Sequence, residues 1–274
     1  MESKVSNINK INVHYLDSIT DKRPLLLLHA LAGNSKSWLK ISKELEKDFR
    51  VIIPDLRGHG STEKPDGAYD TETFCLDIIS LLDSLSIESV DIIGHSLGAK
   101  IAMCLAELYP TRISKIVVEE GHIKALPYIY QGWYEGVKNN KGPYSMFSMI
   151  KNNFNTREEA ISFMSKNIGD SNTEWFSLSL QQENGGVNWT FSLDSLLSIS
   201  QNVMSKDSLD LNSNIKHPAL LLFGESGAFS TKEISELTQV FYNSKTVIIA
   251  ETGHWIHGES PLSFLNHVVP FLKD

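Results

Sequence analysis

Residues 90–100 read VDIIGHSLGAK. An apolar run ends on a serine, Ser96, held between Gly94 and Gly98, and a small-residue helical pattern begins immediately behind it. This is the G-x-S-x-G spacing, in which a sharp strand-to-helix turn strains the serine and leaves its Oγ exposed at the top of a sheet. Glycines suit the flanking positions because side chains there would clash. A serine hydroxyl is a weak nucleophile at neutral pH, so the chemistry needs a base within hydrogen-bond reach and a third group to orient that base. The chain offers nine histidines for the base. The neighbours His95 and Lys100 read as non-catalytic. His254, His257 and Glu259 raise the question of a metal, but no H-E-x-x-H helix and no third ligand at suitable spacing accompany them, so no metal site is expected.

The elements that must hold Ser96 in place are legible around it. Short β-branched or leucine-rich runs occur at 24–30, 50–56, 90–96, 114–120, 218–225 and 245–252, and each reads as a strand buried on both faces. Helical patterns fall between and after them at 37–49, 71–85, 97–109, 231–242 and 260–272. This alternation predicts an α/β fold, a mostly parallel, doubly wound sheet wrapped by helices. The N-terminal NINKINVHYLDS predicts one or two antiparallel edge strands. From about 123 to 205 the strand rhythm stops and Trp, Tyr, Phe and Met accumulate, as in LPYIYQGWYEG and PYSMFSMIKNNF. The expected organisation is a core of 1–122 and 206–274 with a mostly helical cap insertion, 123–205, over the carboxyl ends of the strands, where open α/β sheets bind ligands. Trp133, Met146, Phe147 and Trp175 are the expected pocket-lining candidates.

Composition narrows the partners. A net charge of -8 without any basic run argues against nucleic acid. The opening MESKVSNINKINVHY has no apolar signal core and no stretch approaches 18 apolar residues, so neither an export signal nor a membrane span is expected, and the cytoplasm is the expected compartment. Cys75 and Cys104 fall in helix-like segments and read as structural. The Asn-x-Thr sequon at Asn188 carries little meaning without export.

The segments LLLLHALAGNSKSW, VIIPDLRGHGSTEKP, DIIGHSLGAKIA and ETGHWIHGESPLSF follow one another in the order of the signature stretches of the α/β-hydrolase superfamily. The chain resembles that superfamily over nearly its whole length, most nearly its small cytosolic esterases with a helical cap between the sixth and seventh strands. The resemblance implies His254, just past the last strand, as the base. It implies backbone N–H donors from Leu97 and Leu31 as the oxyanion hole, although Ala30 stands where glycine is usual and narrows the backbone options there. It makes 55–60, DLRGHG, structural scaffolding beneath the site. His29, His59 and His122 read as structural or supporting, and His257 as packing or hydrogen bonding near the start of the last helix.

The acid is where the chain departs from the family pattern. The usual aspartate stands three residues after the glycine that ends the seventh strand, and in LLLFGESGAFS that position is Gly227. Glu225 is close in sequence but is expected to point away from the base. The superfamily's second arrangement puts the acid at the end of the sixth strand, which here reads IVVEEG, residues 116–121. Two adjacent glutamates ending an apolar strand are unusual, because an unpaired charge at a partly buried site is costly. Strand alternation sends Glu119 and Glu120 to opposite sides, so only one can serve. Glu120, matching the acid of dehalogenase-like relatives, is the expected acid, with Glu119 and Glu225 as alternatives. The bland alternative is two solvated glutamates at the base of the insertion.

These readings converge on a cofactor-free serine hydrolase that cleaves carboxylic esters of small to medium hydrophobic substrates through an acyl-enzyme, with a small-molecule ester as its partner. A C–C hydrolase, lyase or synthase, or an acyltransferase, could use the same residues. A low-turnover ligand-sensing relative would fit Ala30 and the irregular acid loop. Halide-releasing and epoxide-opening relatives need an aspartate at the elbow, which Ser96 cannot replace.

Overall fold

The computed structural model describes residues 1–67, 69–125, 154–183, 185–209 and 213–274. Among these residues the chain forms strands β1 (Glu2–Ile8), β2 (Ile11–Asp17), β3 (Pro24–Leu28), β4 (Arg50–Pro54), β5 (Val90–His95), β6 (Ile113–Glu119), β7 (Leu180–Glu183), β8 (Gly186–Trp189), β9 (Ala219–Gly224) and β10 (Ser244–Ile249). The helices are α1 (Leu39–Leu45), α2 (Thr71–Ser84), α3 (Leu97–Leu108), α4 (Arg157–Ile168), α5 (Asp170–Ser177), α6 (Leu193–Ile199), α7 (Thr231–Thr238), α8 (Ile256–Glu259) and α9 (Pro261–Lys273).

Eight strands make one sheet in the order β1-β2-β4-β3-β5-β6-β9-β10. Only β2 opposes its neighbours; β4, β3, β5, β6, β9 and β10 pair in parallel. All six apolar runs of the sequence are therefore parallel strands, and the N-terminal segment is the expected antiparallel edge.

The continuous apolar runs are explained by helices on both faces. In β3, Leu26 and Leu28 join a core that includes Phe74 and Ile78 of α2 and Met103 of α3, while Leu25 and Leu27 face Trp38, Ile41, Phe264 and Val268. All four leucines are fully buried, which stabilises the fold by roughly 1.5–3 kcal/mol for each side chain. A strand solvated on one side would have alternated instead. Helix starts are capped locally: the Asp70 carboxylate accepts from Thr73 N–H at 2.8 Å, and Ser230 and Glu233 form a capping box on α7. Cys75 and Cys104 are buried and unbridged.

Among the described residues, the stretch between β6 and β9, expected to be mostly helical, is not helical throughout. Besides α4, α5 and α6 it contains the antiparallel hairpin β7–β8. Its two four-residue strands, LQQE and GVNW, are too short to show a strand period in the sequence. This stretch touches the core at named points. Asn34 Nδ2 donates to the Leu178 carbonyl and to Ser179 Oγ, both at 3.0 Å, Ser179 Oγ donates to the Ala32 carbonyl at 2.7 Å, and Ser195 Oγ donates to the Tyr69 hydroxyl at 3.0 Å. Trp133, Met146 and Phe147 lie outside the described residues. Among the described residues no helix is long and apolar enough to cross a membrane.

Candidate active site

Strand β5 runs into α3 through Ser96, whose backbone sits at φ 52° and ψ -108°. The left-handed region is costly for a residue with a Cβ. The elbow survives because its flanks are glycine. A Cβ at Gly94 would stand 2.3 Å from the Gly98 carbonyl oxygen, and one at Gly98 would stand 2.3 Å from the carbonyl oxygen of Leu28 in β3. Within 90–106 every residue is buried except Ser96, which is partly exposed.

Strand β6 ends beside this elbow. The Glu119 carbonyl accepts the Ser96 amide at 2.9 Å, and the chain turns sharply at Glu120, at φ 46°. That turn aims the Glu120 carboxylate at the loop after β10, where Oε2 accepts from His254 Nδ1 at 3.0 Å. Two more donors hold the carboxylate, the amides of Gly224 and Ala228, each at 2.8 Å. With the oxygens accepting, Nδ1 is the protonated nitrogen of His254 and Nε2 keeps its lone pair. The Glu120 side chain is fully buried, whereas His254 is 35% exposed.

Gly227, the position where the family's aspartate would stand, has a specific neighbour. A Cβ there would lie 2.0 Å from Glu120 Oε1. The carboxylate from β6 occupies the space that a side chain at 227 would need, so the absent aspartate and the extra glutamate are two halves of one exchange. Glu225 does not meet His254. It is exposed, and its Oε2 accepts the Glu251 amide at 3.1 Å. The solvated reading of the two glutamates is overturned, since both are buried and hydrogen bonded.

Glu119 reaches the same loop rather than pointing to the opposite side. Its Oε2 lies 2.6 Å from His257 Nδ1, its Oε1 accepts the His257 amide at 2.9 Å, and both side chains are fully buried. Trp255 Nε1–H donates to His257 Nε2 at 2.9 Å, so the hydrogen on His257 sits at Nδ1. His95 Nε2 donates to the His254 carbonyl at 2.7 Å, tying the residue before Ser96 to the backbone of His254. Burial, then the nearby His254 and His257, hold the His95 imidazole well below its usual range, which keeps it a neutral donor. One nitrogen or oxygen from each of His95, Glu119 and His257 falls within 4.8 Å of the others. That spacing would suit a metal, but the hydrogen bonds just described engage these groups. Glu259 is drawn off separately, accepting the Gly253 amide at 2.6 Å.

The loop after β3 carries the expected oxyanion donor Leu31. Ala30 keeps a negative φ; the left-handed residue is Ala32, at φ 62°, so position 30 has no need of glycine. Two buried imidazoles brace this loop: Ala32 N–H donates to His59 Nε2 at 3.1 Å, and Leu56 N–H donates to His29 Nε2 at 2.9 Å. Burial, then the adjacent His29, push His59 down to about 3, so it serves as a neutral acceptor. Burial alone would raise Asp55, but the His14 imidazole, the nearby His29 and the amides of Ser35 and Ser61 outweigh it and hold the carboxyl at about 2. Among the described residues, the hydrogen bonds of this loop use the amides of Ala32 and Gly33 and leave that of Leu31 unused. Leu97, the first residue of α3, supplies the other expected donor. Its amide is one that a helix start leaves without an intrahelical acceptor.

His122 is structural, with Nε2 donating to the Glu233 carbonyl and Nδ1 accepting the Lys124 amide, each at 3.0 Å. Lys100 is buried, and Nζ donates to the carbonyls of Lys124 and Lys206 at 3.1 and 2.6 Å, one before and one after α4, α5 and α6. Trp175 of α5 lies 6.4 Å, ring centre to ring centre, from His95. Sequence reasoning missed the partnership of Glu119, His257 and Trp255. The signal was present as a doublet of acids facing two histidines spaced H-x-x-H.

A family model described as the alpha/beta hydrolase fold matches residues 23–261. The chain is 28% identical over 272 residues to an sn-1-specific diacylglycerol lipase of Danio rerio, covering 96% of this chain and 83% of that protein. It is likewise 28% identical over 280 residues to epoxide hydrolase 4 of Homo sapiens, covering 96% of this chain and 76% of that one. Among solved structures, a marine microorganism esterase superposes with a TM-score of 0.80 at 25% identity, covering 94% of this chain and 98% of its own. By its sheet, its elbow and these likenesses, the chain belongs to the α/β-hydrolase fold family.

Proposed function

We propose that this hydrolase cleaves carboxylic esters of small to medium hydrophobic substrates by serine nucleophilic catalysis. The observation that carries the reading is the imidazole of His254, held by its Nδ1 on the buried Glu120 while its own carbonyl is tied to His95, the residue before the strained Ser96. Ser96 Oγ attacks the ester carbonyl and passes its proton to His254 Nε2. The carbonyl π electrons move onto oxygen, and that oxyanion is received by the amides of Leu31 and Leu97. The intermediate collapses, the alcohol leaves with the proton from His254, and the acyl group stays on Ser96. Water, deprotonated by His254, repeats the addition on the acyl-enzyme and releases the acid and Ser96. Glu120 stabilises the imidazolium formed in each half-reaction.

The esterase and lipase names among the relatives support ester cleavage over other hydrolyses. Opening an epoxide by the family's covalent route would need a carboxylate where Ser96 stands. The stretch between β6 and β9 is read as a cap that selects substrate size, with the Trp175 ring 6.4 Å from that of His95 beside the elbow. The test is covalent labelling by a fluorophosphonate probe together with turnover of p-nitrophenyl esters of graded chain length. Ser96→Ala should lose both, whereas an unlabelled, folded wild-type protein would end the serine-hydrolase reading.

A further inference from the structure

The residues assigned to the reaction leave one buried carboxylate–imidazole pair unused. Glu119 and His257 are both inaccessible to solvent, and neither can touch a substrate. A buried carboxylate is an expensive way to fill a core, since an apolar pair of similar volume is often as stable or more so. Its return must be sought in geometry.

Glu119 touches both sides of the proposed catalytic centre. Its carbonyl oxygen receives the Ser96 amide, and its carboxylate receives two donors from His257, the ring Nδ1–H and the backbone N–H. Two donors on two oxygens fix the direction of the chain at 257 as well as its distance. The imidazole is clamped in turn. Trp38 stacks on it with ring centres 3.9 Å apart, and the Trp255 indole N–H fills Nε2, which holds one tautomer. His254 stands three residues earlier, in the loop that leads into α8, partly exposed and unable to rely on burial for its position.

We propose that Glu119 and His257 are positioning residues that set His254 against Ser96, with Trp255 fixing the tautomer that makes the clamp possible. The proposal rests on the serine-hydrolase reading. A misplacement of about 1 Å at a reacting group can cost on the order of 100-fold in rate, so losing the clamp should lower kcat and leave KM alone.

The test compares His257→Leu, which removes the ring donor, with His257→Asn, whose amide N–H can still reach Glu119. Turnover of p-nitrophenyl acetate, the rate of fluorophosphonate labelling and the thermal midpoint are measured for each. His257→Leu should lower kcat and the labelling rate by about 10- to 100-fold with KM within about twofold. His257→Asn should recover most of that loss, which a simple packing role would not produce. A folded His257→Leu with wild-type rates would overturn the proposal, and so would a His257→Asn as impaired as His257→Leu. If His257→Leu does not fold, Trp255→Phe takes its place. It keeps the Glu119–His257 hydrogen bond but frees the tautomer, and should lower kcat several-fold at unchanged KM, with wild-type rates again overturning the idea. If the wild-type protein itself resists the probe, the serine-hydrolase reading falls separately. The clamp is then read from the proton NMR signal of the His254 Nδ1–H on Glu120: broadened in His257→Leu if the clamp exists, unchanged if it does not.

Discussion

Two glutamate–histidine pairs stand side by side at the end of β6, and they differ in what happens at the far nitrogen. In Glu119–His257 the contact is 2.6 Å, both partners are fully buried, and Trp255 occupies Nε2. In Glu120–His254 the contact is 3.0 Å, the imidazole is 35% exposed, and among the described residues nothing hydrogen-bonds to Nε2. A base must keep a lone pair within reach of the proton it takes. On the proposed reading the same two residue types make a clamp in one place and a base in the other, and the difference lies in access rather than in the acid.

The largest effect should come from breaking the exposed pair. His254→Ala should lower ester turnover by about 10,000-fold or more, as should Ser96→Ala, with the double variant little worse because such residues act as a unit. His257→Ala should fall far short of that loss. Equal losses at 254 and 257 in steady-state assays would erase the distinction drawn between the pairs.

Next in size is the exchange between β6 and the loop after β9. Glu120→Gln should lower kcat by about 100- to 10,000-fold with little change in KM. Gly227→Ala should do similar harm from the other side, because its Cβ would displace the carboxylate from 2.0 Å away. The double variant Glu120→Ala, Gly227→Asp moves the acid across the gap, and it should turn over ester faster than Glu120→Ala alone. Wild-type kinetics in Gly227→Ala would show that Glu120 is not where the reaction needs it.

The smallest effect sharpens the comparison with a buried charge that has carbonyls in place of a counter-ion. Burial pushes the Lys100 ammonium down to about 8, against the opposing pull of Asp207. Between pH 8 and the ordinary lysine range near 10.5 the unfolded chain binds the extra proton, so stability should rise with pH across that window. Below pH 8 the cost of burying the cation is fully present. The rise should be on the order of 2–3 kcal/mol, read as the difference between wild type and Lys100→Met in urea unfolding at pH 7.5 and pH 10. Parallel curves for the two proteins would mean that the amine is already neutral or well solvated.

Much of this molecule is written locally in its sequence. Six apolar runs, each bounded by a helical pattern, determine a doubly covered parallel sheet because hydrophobic period and length act within a dozen residues. Ser96 is equally local: Gly94 and Gly98 are required by contacts within the elbow and against β3, and the spacing announces them. The β7–β8 hairpin escaped because strands of four residues are too short to display a period. The partners of the two histidines were decided elsewhere. Glu120 and Gly227 are far apart in the chain and meet only because β6 and β9 are neighbours in the sheet. Strand alternation predicted that Glu119 and Glu120 would diverge, yet the left-handed turn at Glu120 brings both to one loop. Which carboxylate orients which imidazole depends on strand order and on a single backbone angle. Neither leaves a trace in residue type or spacing, so only the folded chain could assign Glu120 to His254 and Glu119 to His257.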